Sequence, residues 1–261
     1  MKAAIFQTDI IFENKAENLR RGLQLIKAAA DGGADICFFP EMSFTGFSMN
    51  IKLTGENDGY TIRCMQKAAL ENNIAVGFGY VCLKNGRGEN HYAVADKTGR
   101  LLSDYVKVHS FAMGGENEDF ASGNTLPKPF SIAGHKISTF ICYDLRFPEI
   151  FRAAADSSSV MTVAANWPAS RREHWITLLK ARAIENQAYI IGINCCGEQN
   201  GLKHSGDSMV VDPLGNVIAK SEQYKESMLF ADIPSDTDKI RAQFPVLASR
   251  KKSLYKKLLL L

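Results

Sequence analysis

Apolar residues along the chain fall into two patterns, short continuous runs and longer stripes spaced three or four residues apart. The runs "KAAIFQTDI", "ADICFFP" and "IAVGFGYVCL" have the length of strands, and the last two are apolar enough to be buried on both faces. Between the first two runs, Leu19, Leu23, Ile26 and Ala30 form one stripe, which predicts a helix that ends at a glycine pair. "TIRCMQKAALENN" predicts a second helix.

The rest of the chain continues this alternation. "KNGRGEN" predicts the turn of a hairpin that leads into "HYAVADKTGR" and "LLSDYVKV". A polar, glycine-rich stretch over residues 108–129 follows, and loops of that length inside a compact domain are usually functional. Further strands are predicted at "HKISTFICYD", "VMTVAANW", "AYIIGINCC" and "SMLFADI", with helices between the first three.

These elements predict an α/β fold. Either one mixed sheet covered by helices or two packed sheets with helices outside would satisfy the pattern. No repeat and no linker divides the sequence, so we expect a single domain over residues 1–261.

Composition removes several classes of function. The 261 residues carry a formal charge of only +3, which gives no reason to expect a nucleic-acid partner. No apolar run reaches the roughly 18 residues of a membrane span, and the first apolar run is too short for a signal peptide. We therefore expect a cytoplasmic protein whose six cysteines are mostly reduced thiols. The histidines and cysteines have no zinc-ligand spacing, so no metal and no cofactor are expected.

Three polar residues stand at the ends of apolar strands, where α/β folds place their sites. They are Glu41, Lys107 and Cys142. Singly, each has an ordinary explanation as a first-turn carboxylate, a solvated lysine or a core cysteine. Together they form a complete set for acyl transfer, because a thiol nucleophile needs a nearby base or cation and a donor for the oxyanion.

Three segments around these residues resemble the signature segments of the nitrilase, or carbon–nitrogen hydrolase, superfamily, in order and spacing. They are "FFPEMSFTGF", "YVKVHSF" and "FICYDLRFPE". The resemblance runs from residue 2 to about residue 233 and leaves a C-terminal helix and basic tail over about 235–261. It implies a four-layer αββα sandwich, a homodimer, and catalysis by Glu41, Lys107 and Cys142, with Glu116 as a fourth polar residue.

One branch of the superfamily resembles this chain most closely. "ANWPASRREHWITLLKARAIENQAYIIGIN" and "HSGDSMVVDPLG" are similar to the ω-amidase branch, which hydrolyses the terminal amide of 2-oxoglutaramate and 2-oxosuccinamate. The pair Cys195-Cys196 departs from several relatives and leaves substrate choice open. N-carbamoyl compounds and deaminated glutathione are the alternative substrates.

The resemblance implies a definite assignment of roles. Lys107 would lower the pKa of the Cys142 thiol, and Glu41 would take the thiol proton during attack on a small-molecule amide. Lys107 and the backbone N–H of Tyr143 would hold the oxyanion. Glu41 would then activate water for hydrolysis of a thioester, with the water oriented by Glu116.

A substrate with an anionic tail requires a cation in the pocket. Arg146, Arg171 and Arg172 are the candidates, although an arginine so near the nucleophile could instead brace a carboxylate, and the other two could be solvated. Trp167 and Phe44 are expected to wall the pocket, with core packing as the alternative.

Three other functions stay open at this stage. A Cys–His hydrolase would place His109 or His174 beside Cys142. A non-catalytic dimeric scaffold would have no need of the Glu–Lys–Cys set. A thiol redox sensor would use Cys195 and Cys196, but adjacent cysteines rarely form a bridge without strain.

Overall fold

Two β-sheets form the centre of the molecule in the computed structural model, which describes residues 1–258. The first sheet contains β1 (Lys2–Gln7), β2 (Ile36–Phe38), β3 (Ala75–Lys84), β4 (Arg87–Ala95), β5 (Leu101–Val106), β6 (Phe120–Ala121) and β15 (Ser227–Asp232). The second contains β7 (Phe130–Ile132), β8 (His135–Ile141), β9 (Val160–Ala165), β10 (Tyr189–Asn194), β13 (Met209–Val211) and β14 (Val217–Lys220). A separate hairpin pairs β11 (Cys196–Gln199) with β12 (Leu202–Ser205).

Each sheet has a parallel centre and antiparallel edges. The first sheet has the order β15-β1-β2-β3-β4-β5, in which β1, β2 and β3 are parallel and β6 lies beside β4. The second has the order β14-β13-β10-β9-β8-β7, in which β8, β9 and β10 are parallel. Because parallel strands end at one edge of their sheet, the residues that follow them are brought together there.

Helices cover the outer face of each sheet. The helices are α1 (Lys15–Asp31), α2 (Ile51–Thr54), α3 (Tyr60–Asn72), α4 (Glu116–Asp119), α5 (Pro148–Ala154), α6 (Arg172–Asn186), α7 (Thr237–Gln243) and α8 (Lys252–Leu258). Apolar residues of α1 and α3 pack on the first sheet, and those of α5 and α6 pack on the second. A third apolar cluster fills the space between the sheets, where Ile5 and Phe38 face Ile137 and Ile191. The four-layer αββα sandwich is confirmed.

The buried stripe of α1 differs from the predicted one. Leu19 and Ile26 are buried as predicted, but Leu23 is 43% exposed, and Gly22 faces the core instead. A Cβ atom on Gly22 would lie 2.8 Å from the ring of Phe44, so this ring occupies the space that a side chain would need. Helix α1 therefore turns Gly22, its smallest residue, towards the core.

The C-terminal segment docks on the second half of the molecule. Arg250 and Lys252 form ion pairs with Asp156, at 2.9 and 2.7 Å. These contacts agree with a docked tail. The last part of the predicted basic tail, residues 259–261, lies outside the described residues. Within residues 1–258, no helix is long and apolar enough to cross a bilayer.

Candidate active site

A cavity of about 440 Å³ opens where the two sheets meet. Its lining includes Lys107, which follows β5, Cys142, which follows β8, and Asn166, which follows β9. Aromatic rings form much of the remaining wall, among them Phe47 and Trp167. The cavity thus combines an apolar wall with a few converging polar groups, as small-molecule sites do.

Glu41, Lys107 and Glu116 form a buried ionic cluster beside this cavity. Their side chains are 1% exposed or less. Lys107 Nζ donates to Glu41 Oε1 at 2.8 Å, to Glu116 Oε2 at 2.8 Å and to Glu116 Oε1 at 3.1 Å. One ammonium is therefore shared by two carboxylates, and the cluster carries a net charge of −1 when all three groups are ionised.

Two asparagines complete the hydrogen bonds of the cluster. Asn90 Nδ2 donates to Glu41 Oε1 at 2.8 Å and to Glu116 Oε1 at 3.0 Å, so it ties the carboxylates together. The backbone N–H of Asn166 donates to Glu41 Oε2 at 2.9 Å. Every donor found here is fixed by a strand or its end, so the Glu41 carboxylate is held in one orientation.

Cys142 lies at the tip of β8 in a strained backbone conformation. Its φ angle is +44°, which is uncommon for a residue other than glycine and clusters at functional sites. The turn is held by Asp144 Oδ2, which accepts from the backbone N–H of Ile141 at 3.1 Å and from the Tyr105 hydroxyl at 2.9 Å. The chain therefore turns sharply at the thiol, which leaves Cys142 facing the cavity.

The groups around the thiol act on its pKa in opposite directions. Burial, followed by the charge of Glu41, raises the pKa of the Cys142 thiol well above its usual value, and Lys107 offsets only part of this effect. Burial would lower the pKa of Lys107, but the charges of Glu116 and Glu41 outweigh it and raise this pKa. Lys107 therefore acts on the thiol pKa in the expected direction, but its effect is smaller than those of burial and Glu41, and its positive charge is balanced by Glu41 and Glu116.

Glu116 is committed to positioning other groups. Its Oε2 accepts from the backbone N–H of Phe111 at 2.6 Å as well as from Lys107, and its Oε1 accepts from both Lys107 and Asn90. Since each oxygen already has two donors, the expectation that Glu116 orients a water is not supported. It fixes Lys107 and the 108–129 loop instead.

His109 is held by Asp144 and is not positioned as a catalytic base for Cys142. Its Nδ1 lies 2.8 Å from Asp144 Oδ1, its backbone N–H donates to the same oxygen at 3.1 Å, and its ring stacks on Phe147. His174 lies 3.4 Å from the Arg146 guanidinium. Neither histidine has a hydrogen bond to Cys142 in the described part of the chain, which removes the geometric basis for a Cys–His pair.

Two of the three candidate arginines line the cavity. Arg146 lies over the Trp167 ring at 4.6 Å, and Arg171 lies over the Phe111 ring at 5.2 Å. Within residues 1–258 neither guanidinium forms an ion pair with a carboxylate. Burial and then the charge of Arg171 lower the pKa of Arg146, although a guanidinium stays protonated at neutral pH.

The other predicted cation and one predicted wall residue lie elsewhere. Arg172 does not line the cavity, because its guanidinium forms a bidentate pair with the buried Asp207, at 2.8 and 3.0 Å. Phe44 is also outside, because its ring packs on Phe39 and Gly22 of the outer core. Phe47, three residues later, takes the wall position and lies 5.3 Å from Lys107 Nζ.

The β11–β12 hairpin supplies residues that the sequence did not single out. Gln199 and His204 line the cavity from this hairpin. Gln199 Nε2 donates to Asn166 Oδ1 at 3.0 Å, which links the hairpin to the ionic cluster. His204 is buried, burial lowers its pKa to about 4, and its Nδ1 has no hydrogen-bond partner among the described residues. It is therefore a neutral imidazole at pH 7.

Tyr143 and Trp167 are both at the cavity wall. Tyr143 directly follows the thiol, so its backbone N–H belongs to the same short 3₁₀ turn, Cys142–Arg146. The arrangement combines a nucleophile, an adjacent carboxylate, a buried ammonium and a backbone N–H, which is chemistry suited to acyl transfer.

Comparison with known proteins agrees with this geometry. A family model described as carbon-nitrogen hydrolase matches residues 2–242. The chain is 32% identical over 254 residues to a 2-oxoglutaramate amidase of Bacillus subtilis (strain 168), which covers 95% of this chain and 97% of the relative. It is 33% identical over 257 residues to the omega-amidase YafV of Yersinia enterocolitica, which covers 97% and 98%.

A solved structure extends the similarity to the fold. An amidase from Nesterenkonia sp. AN1 superposes with a TM-score of 0.89 at 25% identity, over 99% of both chains. That structure shows Michael addition of acrylamide at its active-site cysteine. The likeness therefore extends over the sequence and the whole fold.

Proposed function

This chain belongs to the carbon–nitrogen hydrolase family, and we propose that it hydrolyses the terminal amide of small 2-oxo dicarboxylate monoamides, 2-oxoglutaramate and 2-oxosuccinamate, to the acid and ammonia. The observation that carries this proposal is the pair Arg146 and Arg171, whose guanidinium groups line the cavity without a carboxylate partner among residues 1–258.

The two arginines of the cavity wall favour a substrate with an anionic tail. Lys107 is neutralised by Glu41 and Glu116, so it is not available to bind a distant carboxylate. The two arginines are the cations that remain at the wall, and guanidinium groups bind carboxylates with bidentate geometry. A monoamide of a dicarboxylic acid places its amide at the thiol and its carboxylate at an arginine.

The first half of the reaction forms a thioester on Cys142. The thiol attacks the amide carbon while Glu41 accepts its proton, which suits a thiol that rests in the protonated form. The oxygen that becomes negative is stabilised by Lys107 and the backbone N–H of Tyr143. Glu41 then donates its proton to the departing nitrogen, so ammonia leaves and the carboxylate is regenerated.

The second half hydrolyses the thioester. Glu41 deprotonates a water that attacks the acyl carbon, the same donors hold the second oxyanion, and the proton returns to the Cys142 sulfur as the acid leaves. Glu116 and Asn90 act through Lys107 and Glu41, because they fix the positions of these groups by hydrogen bonds. No cofactor enters these steps.

We also propose that the protein is a homodimer, as the family resemblance implies. The outer face of α6 includes Ile184, which is 53% exposed. Sedimentation of the wild type beside Ile184→Lys tests this proposal, because a monomeric wild type would contradict it.

The test of the proposed reaction is ammonia release from 2-oxoglutaramate and 2-oxosuccinamate, with Cys142→Ala as the inactive control. An N-carbamoyl amino acid and deaminated glutathione serve as comparators. Release from the oxo-amides that is lost in the variant supports the proposal. Release only from a comparator would keep the Glu–Lys–Cys chemistry and overturn the substrate, whereas no release from any compound would favour a scaffold.

A further inference from the structure

A second group of reactive side chains lies on the helix-covered side of the first sheet, on the β3–β4 hairpin. Cys82 of β3 is the direct cross-strand partner of Glu89 of β4, and His91 is two residues further along β4 on the same face. One ligand atom from each of these residues lies within 4.8 Å of the other two. None of these three residues lines the cavity described above.

Each ring nitrogen of His91 faces a carboxylate. Its Nδ1 lies 2.8 Å from Asp104 Oδ1 and 3.1 Å from the Tyr80 hydroxyl, which also lies 3.0 Å from Asp104 Oδ2. Its Nε2 lies 3.2 Å from Glu89 Oε2. In the tautomer whose Nδ1–H donates to Asp104, Nε2 and Glu89 Oε2 are both available as ligands of one metal ion.

A metal ion between the two atoms would stabilise that contact. The thiol of Cys82 beside the pair supplies a third ligand atom. The side chains of Glu89 and His91 are 17% and 9% exposed, so solvent can deliver an ion and fill a remaining coordination position.

We propose that Cys82, Glu89 and His91 bind a divalent transition-metal ion of the zinc class. Zinc ligands lie about 2.0–2.3 Å from the metal, so atoms of neighbouring ligands in a tetrahedral site are about 3.3–3.6 Å apart. The distance of 3.2 Å between His91 Nε2 and Glu89 Oε2 matches one such edge. Asp104 holds the imidazole at Nδ1, the ring nitrogen that does not face the metal, as carboxylates do at histidine-ligated zinc sites.

The local charge favours a cation. Glu89 and Asp104 flank His91, and the nearby Lys84 is a 63% exposed side chain that reaches only Glu89 Oε1, at 3.3 Å. Binding of the metal breaks the S–H bond of Cys82, releases that proton to solvent and forms a metal–sulfur bond.

The site has a structural connection to the cavity. Asn90 lies between Glu89 and His91 on β4, and because side chains alternate along a strand it points to the opposite face, where it holds Glu41 and Glu116. A metal clamped by Glu89 and His91 therefore fixes the stretch of β4 that presents Asn90. The sequence indicates no metal site here because residues 82, 89 and 91 do not have a typical zinc-ligand spacing; the β3–β4 hairpin brings residue 82 beside the other two.

The experiment is a Zn²⁺ titration of the Cys142→Ala protein, which lacks the cavity thiol, against a chromophoric chelator. We expect one bound equivalent in the parent and at least tenfold weaker binding in Cys82→Ser and in Glu89→Gln. The matched control is Cys64→Ser, which removes a half-buried cysteine outside the group and should bind as the parent does. Asp104→Asn should weaken binding about 10- to 100-fold, because it removes the partner of Nδ1.

A second measurement is independent of affinity. Substitution with Co²⁺ should give a thiolate-to-metal absorption band that disappears in Cys82→Ser and persists in Cys64→Ser. Zn²⁺ affinity that is unchanged in both Cys82→Ser and Glu89→Gln would overturn the proposal, as would the absence of binding at micromolar Zn²⁺.

Discussion

Asn166 forms two hydrogen bonds to Glu41, and these bonds connect the two sheets. The backbone N–H of Asn166, at the end of β9, donates to the Glu41 side chain at 2.9 Å, and its side-chain Nδ2 donates to the Glu41 backbone carbonyl at 2.6 Å. Glu41 follows β2 of the first sheet, so this pair of hydrogen bonds joins the two halves of the sandwich at the site. We expect it to set the position of the carboxylate relative to Cys142.

Asn166→Ala removes the side-chain half of this connection. Loss of a buried hydrogen bond costs about 1–3 kcal/mol, which corresponds to a decrease in kcat of about 5- to 150-fold if the bond positions Glu41 for reaction. Steady-state kinetics with the amide substrate measures this decrease, with a smaller expected change in KM. Asn186→Ala is the control, since Asn186 also donates to a backbone carbonyl but lies on α6, and its kcat should stay near the wild-type value.

Gly79→Ala tests the support beneath Glu41. A Cβ atom at Gly79 would lie 2.5 Å from the backbone nitrogen of Met42 and 3.0 Å from the carbonyl carbon of Glu41, so the loop must move. We expect kcat to fall by at least about tenfold, since small misplacements of a catalytic group are costly. In Gly192→Ala the new Cβ would meet the side chain of Leu179 at 2.5 Å, and this variant should lose thermal stability without a matching loss of kcat.

Arg146→Gln and Arg171→Gln test how the substrate is recognised. A hydrogen bond to a charged group is worth about 1.5–3 kcal/mol, so at least one variant should raise KM for 2-oxoglutaramate by about 10- to 150-fold. A neutral amide of similar length should be affected much less. Arg172→Gln is the neighbouring control and should leave KM near its wild-type value. Equal effects on charged and neutral amides would contradict a role in anion binding.

The protonation state of Cys142 can be measured by alkylation. Because burial and Glu41 raise the pKa of this thiol, inactivation by iodoacetamide should still accelerate as the pH rises beyond the ordinary thiol value of about 8.5. The rate of loss of activity gives the profile, and Cys142→Ala identifies the modified residue by mass spectrometry. A plateau below pH 7 would instead show a resting thiolate.

His204 makes stability depend on pH in a defined direction. Its pKa is lowered from 6.5 to about 4 in the folded protein, so the unfolded chain takes up a proton first as the pH falls. The folded state therefore loses up to about 3 kcal/mol between pH 6.5 and pH 4. Urea unfolding of the wild type and His204→Gln should show the two free energies diverging in that range. Parallel curves would mean that the native imidazole can be protonated freely.

The sequence predicted the layers of the fold better than the sides of its helices. Continuous apolar runs such as Ile36–Phe38 are distinctive because a strand between two layers has no polar face. The face of α1 was harder to predict, because the core residue Gly22 has no side chain and adds nothing to an apolar stripe. Packing of Phe44 against that glycine also explains why Phe44 does not line the cavity.

The candidate site was predicted in its chemical groups but not in its charge balance. Glu41, Lys107 and Cys142 could be selected because each stands at the end of an apolar run. Asn90 and His204 lie on strands among other polar residues, and only the pairing of strands shows that they converge on the cavity. The effect of two carboxylates on one ammonium likewise depends on distances that no spacing along the chain encodes.

The base and the nucleophile are carried by different layers of the sandwich, Glu41 by the first sheet and Cys142 by the second. The thickness of the apolar layer between the sheets therefore sets the distance between Glu41 and Cys142, across which the proton is transferred. A slide of one sheet over the other by about 1 Å would preserve almost all helices and strands while reducing turnover by about 100-fold. Mild denaturants should therefore inactivate this enzyme before its circular dichroism changes. Turnover would then report on the packing between the sheets more sensitively than secondary structure does.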